Sequence, residues 1–232
     1  MKILGIIPAR AGSQGVKNKN IRRFANSNLT EIAINHALGS KLIDKIILST
    51  DSEKISRVGK KYNNVTTLNR PKEISKNDSP AISYMQHSLK YCNENKFYPD
   101  LVTIIQPTSP IRCSDDIDSS IKLLKSNIDA DSSVSIVELP HMIHPYKFKT
   151  LKNKLLHPFS IDEKNNTSKH QLPKIYIRNC AVYVFKTINI LNGITLGDKS
   201  LGYLMPPETA VDINSIMDFH FAEFLYKKIN DI

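Results

Sequence analysis

Short apolar runs alternate with amphipathic stripes along this chain, and that alternation restricts its fold more than any other feature. Runs at residues 2–7, 45–50, 65–69, 101–105, 133–138 and 181–186 read as strands. Between them, Leu29, Ile32, Ala33 and Leu38 recur at helical spacing, as do Ile55, Val58 and Tyr62, and then Ile82, Met85, Leu89 and Cys92. Ile117, Ile121 and Leu124 make a fourth stripe after the cap-like run Ser114-Asp115-Asp116. Strand–helix–strand order of this kind predicts an α/β domain with an open, mostly parallel sheet and helices on both faces. A closing amphipathic helix is predicted over residues 215–229, from Ile216, Phe219, Ala222, Leu225 and Ile229.

The alternation breaks over residues 140–178, which hold Pro140, Pro145, Pro158 and Pro173 with many Lys and Asn. An excursion of that length inside a compact domain points to a functional element or an interface. The chain has 232 residues, enough for one α/β domain with such an insertion, and no internal repeat is visible. Hydrophobic residues at 41% and charged ones at 23% describe a globular chain rather than a disordered one.

The 32 basic and 22 acidic residues give a net charge of +10, which suits an anionic partner. The basic residues form no block like a nucleic-acid tail, so no nucleic-acid partner is expected. Cys92, Cys113 and Cys180 are too scattered for a metal or disulfide pattern and read as reduced thiols of a cytoplasmic protein. His141, His144 and His170 are irregularly spaced and read as surface or pocket residues. The first apolar run is too short for a signal peptide or a membrane span, so no membrane association is expected.

The loop after the first run, Pro8-Ala9-Arg10-Ala11-Gly12-Ser13-Gln14-Gly15-Val16-Lys17-Asn18-Lys19-Asn20, carries the chemistry. Its glycines let the backbone turn tightly and present N–H groups. Arg10, Lys17 and Lys19 add cations, so the loop suits a phosphate chain. Neither the G-x-x-x-x-G-K-[ST] nor the G-x-G-x-x-G phosphate motif is present. Its place after the first strand, where open α/β sheets bind ligands, favours a site over a plain surface loop.

These residues, followed in order by Ser49-Thr50-Asp51, Arg70-Pro71, Gln106-Pro107-Thr108-Ser109-Pro110-Ile111-Arg112 and Asp212-Ile213, resemble the CMP-sugar synthetases, the acylneuraminate cytidylyltransferase family. The similarity covers nearly the whole chain. It implies a Rossmann-like fold and a reaction in which a sugar's anomeric hydroxyl attacks the α-phosphate of CTP and pyrophosphate leaves. The expected acceptor is an acidic nine-carbon sugar, a nonulosonic acid of the sialic, legionaminic or pseudaminic type. By the same resemblance Arg10 and Lys19 contact phosphates, and Ala9, Gly12, Ser13, Asn20, Arg70, Asp78 and Gln106 complete the nucleotide site. Gln106, Lys147, Gln171, Tyr176 and Arg178 fall on the sugar side. Magnesium is the implied cofactor, held by Asp212 and Asn214, while Asp218 reads as a helix cap. Arg112 suits either a phosphate contact or a helix start. The resemblance also makes residues 140–178 a dimerisation element that reaches the partner's site, so a homodimer is expected.

The chain departs from that family where Gln14 replaces a common Lys, Lys17 a Pro, Lys169 and Ile177 Arg, Cys180 Gly, and Asn214 the second Asp of Asp-x-Asp. An Asn oxygen still coordinates a hard cation, but without charge. Three rivals fit less of the sequence: a CMP-Kdo synthetase, a non-catalytic nucleotide-binding regulator, and a dinucleotide oxidoreductase using Asp51 on a ribose. The last lacks the glycine pattern it needs.

Overall fold

The computed structural model describes residues 1–159 and 172–232. The chain runs β1 (Ile3–Pro8), a small hairpin β2 (Arg23–Phe24) and β3 (Ser27–Asn28), α1 (Leu29–Gly39), β4 (Lys45–Thr50), α2 (Glu53–Gly59), β5 (Val65–Asn69), α3 (Ala81–Glu94), β6 (Leu101–Ile105), α4 (Ser114–Lys125) and β7 (Ser132–Glu138). There follow a hairpin of β8 (Lys149–Lys152) and β9 (Leu155–Pro158), then β10 (Tyr176–Lys186), α5 (Thr187–Leu191), β11 (Ser200–Leu204) and α6 (Ile216–Ile229).

Seven strands form one sheet in the order β11-β7-β10-β6-β1-β4-β5. β1 pairs in parallel with both β4 and β6, and β4 with β5. β10 runs antiparallel between β6 and β7, while β11 lies parallel to β7. The sheet is therefore mostly parallel, as expected, with one reversed strand inside it.

The continuous apolar runs are explained by burial on both faces. In β1, Ile3 and Ile7 pack with α1, α2 and α4, whereas Leu4 and Ile6 pack with α3 and α5. Each such side chain, fully buried, contributes roughly 1.5–3 kcal/mol. A third cluster joins α6 through Phe219 and Ala222 to Phe24, Leu29, Val16 and Ile213. Phe24 and Phe219 meet edge to face at 5.3 Å. Asn28 caps α1 by accepting from the Glu31 amide at 3.0 Å, and Ser215 with Asp218 forms a reciprocal capping box on α6.

Several boundaries differ from the sequence reading. Tyr62 lies past the end of α2 and packs on the core from a turn. α4 starts at Ser114 with Cys113 as its cap residue, whose amide donates to Asp116 at 2.7 Å. β10 begins at Tyr176, so the excursion closes earlier than residue 178. Tyr176, Ile177 and Arg178 are all exposed, so that end of the strand carries no burial alternation to read. β11 and the β8–β9 hairpin were not expected; both are short and mostly exposed.

Candidate active site

β1 and β6 are neighbours whose connections leave in opposite directions, one towards β4 and the other towards β10 and β7. Such a switch point opens a crevice at the carboxyl ends of the strands. Here the crevice is a cleft of about 480 Å³ lined by the loop after β1, the segment from Arg70 to Tyr84, the Gln106–Thr108 turn and Asn214.

The loop after β1 is fixed from behind. Ala9 is buried and its amide donates to Ser49 O at 3.0 Å. Asn20 Nδ2 donates to Arg10 O at 2.9 Å, and Asn20 O accepts from Thr30 Oγ1 at 2.7 Å. The Ala11 amide donates to Asp51 Oδ1 at 2.8 Å, which engages the carboxylate that a ribose-binding reading would need. Gly15 passes so close to the 212–214 segment that an added Cβ would stand 1.7 Å from Asn214 O. Only glycine permits that approach. Gly12 is exposed and meets no such contact beyond Arg10 NH1 at 3.9 Å.

Cations converge on this cleft. Arg10 donates to Asn77 Oδ1 at 2.5 Å, and Lys19 Nζ donates to Ile213 O. Burial pushes the Lys19 ammonium below the ordinary lysine value; Arg10 adds to that, and Asp212 and Asp218 oppose it. Arg70 is 5% exposed, bonded to Ser49 through Oγ at 3.0 Å and O at 2.9 Å. Its guanidinium lies 4.8 Å from the Tyr84 ring centroid, a cation–π distance.

Opposite them, Gln106 Oε1 accepts from Thr108 Oγ1 at 3.3 Å, and Thr108 O accepts from the Ile213 amide at 3.1 Å. The turn is thus stitched to the segment carrying Asp212. Asn214 Nδ2 donates to Asp212 Oδ2 at 3.0 Å. Asp218 accepts from the Asn214 and Ser215 amides, at 3.0 and 2.7 Å, as a cap; these bonds hold its carboxyl below the ordinary range. Among the described residues no cluster of three or more His, Cys, Asp or Glu side chains forms a metal cage. Asp212 offers a lone carboxylate that already accepts from the Asn214 amide nitrogen, and a hard cation held by so few protein ligands needs substrate oxygens to complete its shell.

The structure brings Arg10, Ser13, Lys19, Asn20, Arg70, Gln106 and Asn214 together around one cleft. Asp78 is exposed and does not line it; Asn77 and Ser79 on either side do. Arg112 lines neither the cleft nor the pocket beside it. It is 1% exposed, and NH1 donates to Gln106 O, Ser109 O and Ala181 O at 2.6, 2.9 and 3.3 Å. Arg178 lines an adjoining pocket of about 200 Å³ that shares Ala81, Tyr84 and Gln106 with the cleft. Lys147 and Tyr176 line neither; Lys147 Nζ lies 3.0 Å from His141 Nδ1. Gln171 and His170 lie outside the described residues. His144 is buried and bonded to Pro173 O at 3.1 Å, a structural role. Sequence reasoning missed Tyr84 and Tyr183, whose signal, an aromatic in an amphipathic stripe or an apolar run, is the same as that of a core residue.

A protein-family model described as Cytidylyltransferase matches residues 4–193. The chain belongs to the cytidylyltransferase family. This cytidylyltransferase is 31% identical over 231 residues to the post-translational flagellin modification protein B of Campylobacter coli, spanning 99% of this chain and 97% of that protein. It is 32% identical to the CMP-N,N'-diacetyllegionaminic acid synthase of Campylobacter jejuni, with 97% and 94% covered. It is 30% identical to the N-acylneuraminate cytidylyltransferase of Escherichia coli over 99% of this chain but only 53% of that longer protein. A solved CMP:2-keto-3-deoxy-manno-octonic acid synthetase complexed with CTP shares the fold at a TM-score of 0.69 and 11% identity, over 99% of this cytidylyltransferase and 100% of that chain.

Proposed function

We propose that this cytidylyltransferase moves CMP from CTP to a nonulosonic acid and releases pyrophosphate. The observation that supports this most is the union of Arg10, Lys19 and Arg70 with Gln106 around one cleft, beside a second pocket that carries Arg178. The names of the similar bacterial proteins support the sugar class.

Phosphoryl displacement needs positioning and charge neutralisation more than covalent chemistry. Arg10 and Lys19, on the loop at the carboxyl end of β1, would lie along the triphosphate and offset charge gathering on the leaving pyrophosphate. Gln106 has both a donor and an acceptor for a base edge or a sugar hydroxyl. Arg178 offers a guanidinium to the acceptor's carboxylate. Magnesium would be held by Asp212 with Asn214 and would supply Lewis-acid neutralisation of the phosphates. Such an enzyme works where CTP is made, in the cytoplasm.

The test is pyrophosphate release from CTP with a panel of sialic, legionaminic, pseudaminic and eight-carbon Kdo acids. Release that depends on a nine-carbon acid is expected. Arg10→Ala should lower kcat/KM on the order of a hundredfold with little change in melting temperature. Release with Kdo alone, or with no acid in the panel, overturns the reading.

A further inference from the structure

Arg10, Lys19, Arg70 and Lys76 line the nucleotide cleft, and among the described residues no acidic side chain does. Like charges gathered around one space repel one another until a polyanion enters. The first three have places in the reading above. Lys76 has none.

Lys76 stands on a braced turn between β5 and α3. Its amide donates to Ser79 Oγ at 3.1 Å, and its carbonyl accepts from the Ser79 amide at 3.3 Å. Ser75, just before it, donates through Oγ to Pro71 O at 2.8 Å. Arg10 NH1 touches both neighbours of Lys76, donating to Asn77 Oδ1 at 2.5 Å and to Ser75 O at 3.5 Å. The backbone of residue 76 is thus fixed beside the Arg10 guanidinium, while its side chain is exposed. Asn77 meets Arg10 with a neutral amide, so that contact leaves the Arg10 charge uncancelled. Glu73 and Asp78, the acids of this segment, do not line the cleft, and among the described residues no acid forms an ion pair with Lys76.

On the loop after β1, Gln14 lines the same cleft with an uncharged side chain. Lys17 on that loop does not make up the charge. It lines a shallow shelf with Asn18, Ile21 and Arg22, outside the cleft.

We propose that Lys76 is a further phosphate-binding residue of this enzyme, which holds the outer phosphates of the nucleotide from the β5–α3 segment and takes the part that a lysine at position 14 would play. This inference rests on the CTP reading above. The outer phosphates are its target because Arg10, assigned to the leaving pyrophosphate, is tied to the residues on either side of it. An ammonium on a flexible stem meets a phosphate as a point charge, so it serves from a different segment without matching a fixed geometry.

The experiment is calorimetry of CTP and of CMP, each with magnesium. Lys76→Ala should weaken CTP about tenfold, the worth of one charge-assisted hydrogen bond. CMP lacks the outer phosphates, so its affinity should change less than about twofold. Gln14→Lys added to Lys76→Ala should recover most of the lost CTP affinity. Lys72→Ala removes an exposed lysine of the same segment that does not line the cleft, and should change neither affinity. Melting curves of all the variants check the fold. Unchanged CTP affinity in folded Lys76→Ala, an equal loss for CMP, an equal loss in Lys72→Ala, or no recovery with Gln14→Lys each overturns this inference while the functional reading stands. A wild-type protein that binds no CTP overturns both.

Discussion

Lys19 shows how a single residue can be tuned by its neighbours. Its Nζ bonds to Ile213 O, and burial with Arg10 nearby lowers its pKa. The folded-state value lies below the ordinary one, so the ammonium loses its charge at a lower pH than an exposed lysine. CTP affinity should therefore weaken on the alkaline side before pH 10.5, the ordinary lysine value. The sign for stability is opposite: the penalty on the charged form is felt below the lowered pKa and fades as pH rises towards 10.5. Lys19→Arg keeps its charge throughout and should move the alkaline limb of CTP binding upward, measured by calorimetry across pH 7–10; an unmoved limb assigns it to another group. Asn214 makes a second residue-scale case. Its amide donates to Asp212 at 3.0 Å, where a second Asp would add charge. Hard cations bind more tightly with each added carboxylate. Asn214→Asp should lower the magnesium needed for half-maximal rate severalfold, and Asp212→Ala should nearly abolish turnover. An Asn214→Asp enzyme with the same magnesium curve would place the ion elsewhere. Arg10 and Gln106 were legible in sequence because polar residues directly after apolar strands reach the sheet's carboxyl edge; Lys19, well past the end of β1, was legible through the family resemblance. Tyr84 was not, because its ring lies in a helical stripe and only its meeting with Arg70 at 4.8 Å gives it a place in the site.

At the scale of elements, the cleft depends on joints between segments far apart in sequence. Arg112 is the clearest. One buried nitrogen takes carbonyls from the Gln106 turn, from Ser109 and from Ala181 in β10, and so ties the nucleotide side to the strand bearing Arg178. Burial lowers its pKa to about 9, so this guanidinium is held at a desolvation cost. Arg112→Met removes the donor shared by three carbonyls, of which Gln106 O keeps the Ser109 amide at 3.3 Å, and should cost about 3 kcal/mol of stability in denaturant titrations, with KM for CTP and for the acceptor rising together. A variant as stable as the wild type with only turnover reduced would return Arg112 to the substrate. Such joints are invisible in sequence, where Arg112 and Ala181 are simply distant residues. The strands were legible for the opposite reason. β1, β4 and β6 are buried on both faces, and a buried parallel strand writes itself as an unbroken apolar run. β11, half exposed with Gly202 at its centre, writes nothing of the kind.

At the scale of the whole molecule, one region remains poorly accounted for within a single chain. Every residue of β8 and β9 is exposed, including Leu151 at 72%, Leu155 at 64% and Leu156 at 66%. Phe148 and Phe159 pair at 6.4 Å near the hairpin's base, and Met142 close by is 80% exposed. A lone two-stranded hairpin is marginal in water, and its exposed cross-strand pair of Leu151 and Leu156 suits a contact surface. A second copy of the chain is the occupant that the sequence-based expectation for this excursion names. Lys147 supports it: it lines neither pocket of its own chain, yet stands on the arm that would approach the partner's. Light scattering at micromolar concentration should give about twice the 26.2 kDa chain mass. Leu155→Asp with Leu156→Asp should give a monomer whose melting curve is little changed and whose affinity for CTP persists, because the Arg10–Gln106 cleft lies wholly within one chain. Turnover with the acceptor acid should fall on the order of a hundredfold if the arm completes the partner's sugar side. A wild-type monomer would remove the dimer altogether. A monomeric variant with full turnover would leave the dimer as a stabilising contact and confine the chemistry to one chain.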